Sequence, residues 1–165
     1  MKSYLLKASI ISTLCLNLYA GENFIKLGAS SQDFDGATNS GITLGIGTDN
    51  YKESGLYYGA VFNLESSELE TEQVIGLGMD LNLGYQLTSD LVGYGIIGWN
   101  MQSIYDSDES EFNSYKGFGG GIGAQYKISE SFAINVEARS YTLKYEEVGN
   151  DLDYKSTNFN LKWIY

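Results

Sequence analysis

The segment from Ile75 to Leu87 alternates strictly between two kinds of residue. Its apolar positions are Ile75, Leu77, Met79, Leu81, Leu83, Tyr85 and Leu87, and every residue between them is small or polar. This period of two predicts a β-strand, because a helix would scatter the apolar side chains over all its faces. Strands of soluble proteins are usually about 5–6 residues long, whereas a tilted membrane-spanning strand needs about 9–11. The length of this segment therefore favours a membrane strand.

The same alternation recurs along the chain and predicts eight strands. They are expected at 23–30, 41–48, 55–64, 75–87, 91–102, 118–128, 132–145 and about 154–165. The connections alternate between longer ones, at 31–40, 65–73, 105–114 and 146–153, and shorter ones, at 49–54, 88–90 and 129–131. This order predicts an all-β, eight-stranded antiparallel up-and-down barrel with two unlike ends. Closure matters in a membrane, because lipid cannot satisfy the unpaired backbone groups of an open sheet edge.

Two strands depart from the regular pattern. Ile96 and Ile97 are adjacent, which suggests a slip in the alternation and therefore a β-bulge within 91–102. In 132–145 the alternation blurs after Ser140. The sequence therefore leaves open which residues face inward in 91–102 and in 140–145.

Alternation alone does not show which face of the barrel is apolar. A soluble lipocalin-type carrier would turn its apolar face inward around a ligand, and a transmembrane barrel would turn it toward lipid. The opposite face here consists largely of glycine with a few charges of both signs, which suits a tightly filled polar interior. Aromatic residues also lie near many strand ends, as in an interfacial girdle; they are Phe24, Tyr57, Tyr85, Tyr105, Tyr126, Phe132, Trp163 and Tyr165. Both features favour a transmembrane β-barrel.

Six charged residues fall on the predicted inward face. They are Lys26, Asp80, Lys127, Glu137, Arg139 and Lys162. Glu137 and Arg139 are two residues apart on one strand, so both side chains should point into the lumen. We expect the six residues to form an ion-pair network there, either as structural filling or as a selective gate.

Residues 1–20 have the features of a cleaved secretory signal peptide. Lys2 and Lys7 supply a positive start, residues 8–18 form a mostly apolar core, and Ala20 precedes the expected cleavage point. The barrel domain is then expected to comprise residues 21–165. The single cysteine, Cys15, would be removed with the signal, so the mature chain would contain neither a disulfide nor a reactive thiol.

The composition argues against several classes of function. The chain has no histidine, which removes histidine-dependent nucleophilic catalysis and histidine-ligated metal sites. We therefore expect no enzyme activity, no catalytic, cofactor-binding or metal-binding residues, and no cofactor. The formal net charge of −11 argues against binding to nucleic acid.

Fourteen of the 21 acidic residues lie in the four longer connections. They are Asp33, Asp35, Glu65, Glu68, Glu70, Glu72, Asp106, Asp108, Glu109, Glu111, Glu146, Glu147, Asp151 and Asp153. They could simply solvate loops, provide a surface for a partner, or hold divalent cations that bridge to lipopolysaccharide phosphates.

The C-terminal sequence NFNLKWIY and the segment GFGGGIGAQYKISESFAINVEAR resemble the last hairpins of a known family. This family comprises the small eight-stranded outer-membrane β-barrels of Gram-negative bacteria, such as the OmpA transmembrane domain and OmpX. The resemblance implies export through the periplasm to the outer membrane and a monomer in contact with outer-membrane lipid and lipopolysaccharide. It also implies that the barrel-assembly machinery reads the alternating C-terminal residues, here Phe159, Leu161, Trp163 and Tyr165.

From these observations we expect a structural or surface-interaction role, in membrane integrity, adhesion or recognition through acidic extracellular loops. Both termini should then face the periplasm. A narrow porin-like channel is the alternative, and a soluble lipocalin-like carrier is a further one.

Overall fold

The computed structural model describes residues 21–69, 72–106, 111–145 and 151–165, which form a closed antiparallel barrel of eight strands. The strands are β1 (Glu22–Phe34), β2 (Ala37–Tyr51), β3 (Leu56–Leu69), β4 (Glu72–Gln86), β5 (Leu91–Asp106), β6 (Glu111–Lys127), β7 (Phe132–Tyr145) and β8 (Asp151–Ile164). Each strand pairs with its neighbours in sequence, and β1 pairs with β8 to close the barrel. The predicted fold class is confirmed.

The predicted signal peptide, residues 1–20, lies outside the described residues. Within those residues, no helix is long and apolar enough to span a membrane.

The barrel is closed, and its strands are staggered relative to one another. Paired residues can be followed once around the barrel, through Phe24, Gly47, Val61, Asp80, Gly98, Gly119, Tyr141, Tyr154 and Phe34. The path leaves β1 at Phe24 and returns to it at Phe34, ten residues further along. A stagger of this kind tilts the strands by roughly 40° to the barrel axis, and eight strands leave an interior about wide enough for side chains.

The outer surface of the barrel is apolar and the interior is polar. Outward side chains such as Leu27, Leu83 and Ile122 are between 60% and 70% exposed. Inward side chains such as Lys26 and Asn160 are almost completely buried. This arrangement is that of a transmembrane barrel and the reverse of a lipocalin-type carrier. On β6 the outward apolar residues run from Phe118 to just beyond the end of the strand, a length of about 11 residues. At this tilt, that length spans roughly the 25 Å height of the apolar band of a membrane barrel.

The barrel has two ends, which we name by the chain segments they hold. The terminal end holds residues 21 and 165 and the turns at 52–55, 87–90 and 128–131. The far end holds the turn between β1 and β2 and the ends of β3, β5 and β7. Outward aromatic side chains gather at the terminal end, where they include Tyr58, Tyr85, Tyr126, Phe132, Trp163 and Tyr165. Phe24 and Tyr57, which the sequence placed in the girdle, instead point inward and are completely buried.

At the far end the polarity of the two faces reverses. On β7, Tyr141 and Leu143 point inward and are buried, whereas Ser140, Thr142 and Lys144 point outward and are exposed. Inward side chains from four strands form a far-end apolar cluster, which consists of Phe34, Val74, Tyr141, Leu143 and Tyr154. The alternation that blurred after Ser140 therefore continues without a break, and only its chemistry changes. The reversal indicates that the strands extend beyond the lipid, so that their outer face meets water.

This extension corrects the predicted connections. Most residues of the expected long loops 31–40, 65–73, 105–114 and 146–153 belong to strands; residues 70–71, 107–110 and 146–150 lie outside the described residues. Between β1 and β2 only Asp35 and Gly36 remain, with φ of 50° and 93°. Two consecutive positive φ angles are typical of a two-residue type I′ hairpin, which favours Asp-Gly. The expected turn 49–54 also shortens, because β2 continues to Tyr51.

The expected bulge at Ile96 and Ile97 is wrong. The pairing of β5 with β4 and with β6 runs through both residues without interruption. Ile96 points inward and is buried beside Tyr94, and Ile97 points outward with 73% exposure. The irregularity lay in the residue type, because the inward residue Ile96 is apolar like its outward neighbour Ile97.

Candidate functional site

The middle of the barrel interior contains five charged residues from four strands, which we call the central cluster. They are Lys26, Glu65, Asp80, Glu137 and Arg139. The guanidinium of Arg139 lies 2.5 Å from Glu137 Oε2, 2.9 Å from Asp80 Oδ2 and 3.3 Å from Glu65 Oε1. Lys26 Nζ adds a contact of 2.9 Å to the same Glu137 oxygen. Because these strands lie on different sides of the barrel, Arg139 ties opposite walls together across the lumen.

Each carboxylate of the central cluster also accepts a hydrogen bond from a tyrosine on another strand. Tyr94 donates to Glu137 Oε1 at 3.0 Å, Tyr141 to Asp80 Oδ1 at 2.9 Å, and Tyr154 to Glu65 Oε2 at 2.7 Å. The cluster has three acids and only two cations, so the hydroxyls supply donors that the cations do not. Buried carboxylates are stable only when their oxygens are paired or hydrogen-bonded.

A second group of charged residues, the terminal cluster, lies nearer the chain termini. Lys162 Nζ is 2.6 Å from Asp49 Oδ2, and Tyr57 donates to Asp49 Oδ1 at 2.8 Å. The same ammonium lies 3.6 Å from the centre of the Phe24 ring, within range of a cation–π interaction. Gln125 adds hydrogen bonds to both partners of the ion pair. As in the central cluster, a tyrosine hydroxyl therefore donates to the buried carboxylate, and Tyr51 adds a longer contact of 3.5 Å to Asp49 Oδ2.

Inward glycines provide the space that these long side chains occupy. A Cβ at Gly45 would lie 2.7 Å from Lys26 Cε, and one at Gly123 would collide with the ring of Tyr94. A Cβ at Gly98 would collide with the Asp80 carboxylate. The glycine-rich inward face therefore has a steric cause, since a narrow barrel cannot hold large side chains from every strand at one level.

The structure places five of the six charged residues predicted for the lumen in these two clusters. Lys26, Asp80, Glu137 and Arg139 are in the central cluster and Lys162 is in the terminal cluster. Lys127 differs, because its side chain is 22% exposed at the rim of the terminal end. There it pairs with Glu22 at 2.7 Å and lies 4.5 Å from the Tyr51 ring centre.

Two buried acids were missed by the sequence analysis. Glu65 was assigned to a long loop and Asp49 to a turn, but both are only 1% exposed inside the barrel. The signal was present in each case, because the period of two continues from Asn63 to Glu65 and from Gly47 to Asp49. Polarity alone does not indicate a loop, because polar residues also form the inward face of this barrel.

The four C-terminal residues predicted as an assembly signal all point outward. Phe159, Leu161, Trp163 and Tyr165 are between 50% and 66% exposed. The Trp163 and Tyr165 rings lie 5.5 Å apart, and the Tyr165 N–H donates to the Asn23 carbonyl at 2.9 Å. The last residue is thereby joined to β1 at the closing seam of the barrel.

The acidic residues that the structure describes at the far end are not grouped as metal ligands. Among the described residues, no group of three or more potential ligands is placed to hold one. Asp33, for example, accepts hydrogen bonds from the Gly36 N–H and the Thr38 hydroxyl and so stabilises the hairpin.

Comparison with known proteins identifies the class to which the chain belongs. Residues 11–165 match the family described as the outer membrane protein beta-barrel domain. The protein belongs to this family and is therefore a small β-barrel of the bacterial outer membrane. Among curated proteins, none matches the sequence.

Solved structures show the same fold at low sequence identity. Ail, the attachment invasion locus protein of Yersinia pestis, is 14% identical with a TM-score of 0.65, covering 88% of this chain and 99% of Ail. Neisserial surface protein A is 12% identical with a TM-score of 0.67, covering 87% of this chain and 97% of that protein. The outer membrane enzyme PagL is 12% identical with a TM-score of 0.50, covering 83% of this chain and 97% of PagL.

Removal of the Arg139 side chain should strongly destabilise the barrel, because it leaves three buried carboxylates without their shared cation. Breaking a buried ion pair from one side costs about 3–5 kcal/mol. We expect Arg139→Ala to lower the free energy of unfolding by about this amount, measured by urea titration in lipid vesicles. The matched control is Lys127→Ala at the partly exposed rim, which should cost about 1 kcal/mol or less. Equal stability of Arg139→Ala and the parent protein would show that the central cluster does not hold the barrel together.

Proposed function

We propose that this protein is a structural barrel of the outer membrane that has a closed interior and presents its far end at the cell surface to bind other molecules. The proposal rests on the observation that side chains fill the barrel interior at successive levels along its axis. In the terminal cluster, Gln125 of β6 reaches Asp49 of β2 on the opposite wall of the barrel. The central cluster crosses the middle of the lumen, and the far-end apolar cluster lies beyond it.

The filling of the interior argues against the alternative of a narrow channel. An ion would have to break contacts of 2.5–3.3 Å around Arg139 and then pass the far-end apolar cluster. The five members of that cluster are at most 3% exposed. Eight-stranded barrels in general have interiors that side chains can fill. A structural role agrees with these features better than conduction does.

The shape and charge of the far end support a role at the surface. Strands that extend beyond the lipid form a stiff platform, and its outward residues are polar. Of the fourteen acidic residues predicted for the long loops, the nine that the structure describes lie in strands or the β1–β2 turn toward this end, although Glu65 points inward. Two proteins of similar fold are named for attachment and for the cell surface. The acidic rim favours partners that carry positive charge.

The proposal includes no catalytic step and no cofactor. PagL shows that a barrel of this fold can be an enzyme, so the fold alone does not decide the question. The absence of histidine supports a non-enzymatic role, since it removes the most common general base. We propose that the protein is a monomer whose partners are membrane lipid, lipopolysaccharide and, during biogenesis, the barrel-assembly machinery.

Conductance measurements test whether the interior is closed. Purified protein in planar lipid bilayers should give no discrete current steps, because the lumen is blocked at each level. A known porin reconstituted in the same way provides the positive control, and a shift in gel mobility on heating shows that the barrel is folded. Reproducible ion-conducting steps from the unaltered protein would contradict the proposal and favour the narrow channel.

Labelling of intact cells tests which end faces outward. If the predicted signal peptide is removed, the mature chain has no cysteine, so single cysteines can be introduced without background. Thr38 lies exposed at the far end and Glu53 lies exposed in a turn of the terminal end. A membrane-impermeant maleimide should label Thr38→Cys on intact cells and should label Glu53→Cys only after lysis. The opposite result would place the far end in the periplasm and remove the proposed surface role.

A further inference from the structure

The apolar outer surface of the barrel differs in height from one strand to the next. On each strand it covers the stretch in which no outward side chain is charged, an amide or a small hydroxyl. These stretches, some of which end just beyond the strand, are residues 25–29 on β1, 42–46 on β2, 56–64 on β3, 75–87 on β4, 91–101 on β5, 118–128 on β6, 132–138 on β7 and 159–165 on β8. The surface is therefore tall from β4 to β6 and short on β1 and β2, on the opposite side of the barrel.

This difference in height is large compared with the thickness of a membrane. At about 3.3 Å per residue and a tilt of roughly 40°, the stretch 75–87 on β4 spans about 33 Å, whereas the stretch 42–46 on β2 spans about 13 Å. The apolar band of outer-membrane barrels is about 25 Å tall. The surface on β4 therefore covers the whole band, and the surface on β2 covers about half of it.

Residues at equal heights on β1 and β4 show the same difference. Pairing leads from Asn23 on β1 to Leu81 on β4, and the stagger raises this path toward the far end by roughly four residues over three strands. Tyr85 is therefore level with Asn23, and Leu77 is level with Ser31. Asn23 and Ser31 bound the apolar stretch of β1 and point outward, whereas on β4 the apolar surface continues beyond both Tyr85 and Leu77.

A tilt of the whole barrel in the membrane does not account for this arrangement. Tilting moves both boundaries of the apolar surface on one strand in the same direction and leaves its length unchanged. On β1 the far-end boundary is lower than on β4, and the terminal-end boundary is higher. Lipid beside β1 and β2 therefore meets a shorter apolar surface than lipid on the other side of the barrel.

We propose that the barrel thins the membrane locally beside β1 and β2. A bilayer next to an apolar surface shorter than its hydrocarbon core thins to match that surface. The headgroup layers of the two leaflets then lie closer together on this side, so that Asn23 and Ser31 both meet water and headgroups instead of acyl chains. The proposal goes beyond the closed surface barrel described above and requires only that the barrel lies in a membrane.

Electron paramagnetic resonance of spin-labelled single cysteines tests this proposal. Asn23→Cys and Ser31→Cys on β1 are compared with the level-matched Tyr85→Cys and Leu77→Cys on β4, all in a Cys15→Ser background and in dioleoylphosphatidylcholine vesicles at a high ratio of lipid to protein. The relative accessibility of each label to oxygen and to a water-soluble nickel chelate gives its depth. Each β1 label should lie about 5 Å nearer to water than its β4 partner, because the mismatch of about 12 Å is shared between two leaflets.

A shift in gel mobility on heating shows which labelled variants are folded, and Ser40→Cys, the cross-strand partner on β2, replaces Ser31→Cys if that variant fails to fold. Equal depths within both pairs would overturn the proposal, since the bilayer would then be flat around the barrel. A Ser31 label nearer to water together with an Asn23 label deeper than that of Tyr85 would also overturn it, because a tilted barrel gives that result. Exclusion of both reagents from the β1 labels would mean that protein, and not thinned lipid, covers this side.

Discussion

Contact with lipid is the constraint on which the rest of this structure depends. Lipid offers no hydrogen-bond partners, so the outward face must be apolar and every backbone group must be paired within the closed sheet. A strand has only two faces, and the polar residues are therefore turned into a narrow lumen that side chains fill. There many of them form ion pairs and hydrogen bonds with one another. Arg139 meets three carboxylates, and Tyr94, Tyr141 and Tyr154 each donate to one of them.

The unusual composition follows from this interior. The 14 tyrosines include four that donate to buried carboxylates while their rings fill space. Many of the 20 glycines make room for those rings and for the charged side chains, as Gly123 does for Tyr94. Where the strands extend beyond the lipid, their outward face no longer has to be apolar. There the outward residues are polar and the inward residues are apolar. The far-end apolar cluster then resembles the core of a soluble protein, and its tight packing adds to the closure of the barrel.

Most of the fold could be predicted from the sequence, because lipid enforces the period of two in nearly every strand. The inward position of Glu137 and Arg139 followed from that period alone. Polarity is a poor guide to the loops of this barrel, because its inward residues are polar as well. Glu65 and Asp49 were assigned to connections, although the alternation continues through them. The reversal after Ser140 could not be recognised either, since a strand with polar residues outside and apolar residues inside looks like a shift of phase. Which acid pairs with which cation depends on the stagger between strands, and local sequence does not contain that information.

A comparison of two arginine substitutions on the outer face of β7 tests the central claim most directly. Val136 and Thr142 both point outward on this strand, the first 45% exposed within the apolar surface and the second beyond its edge. In lipid vesicles, Val136→Arg should lower the free energy of unfolding by about 2–4 kcal/mol, because it places a charge in lipid. Thr142→Arg should cost about 1 kcal/mol or less, because its side chain meets water. Equal costs at the two positions would contradict the account, since lipid would then not end where the polarity of the strand reverses.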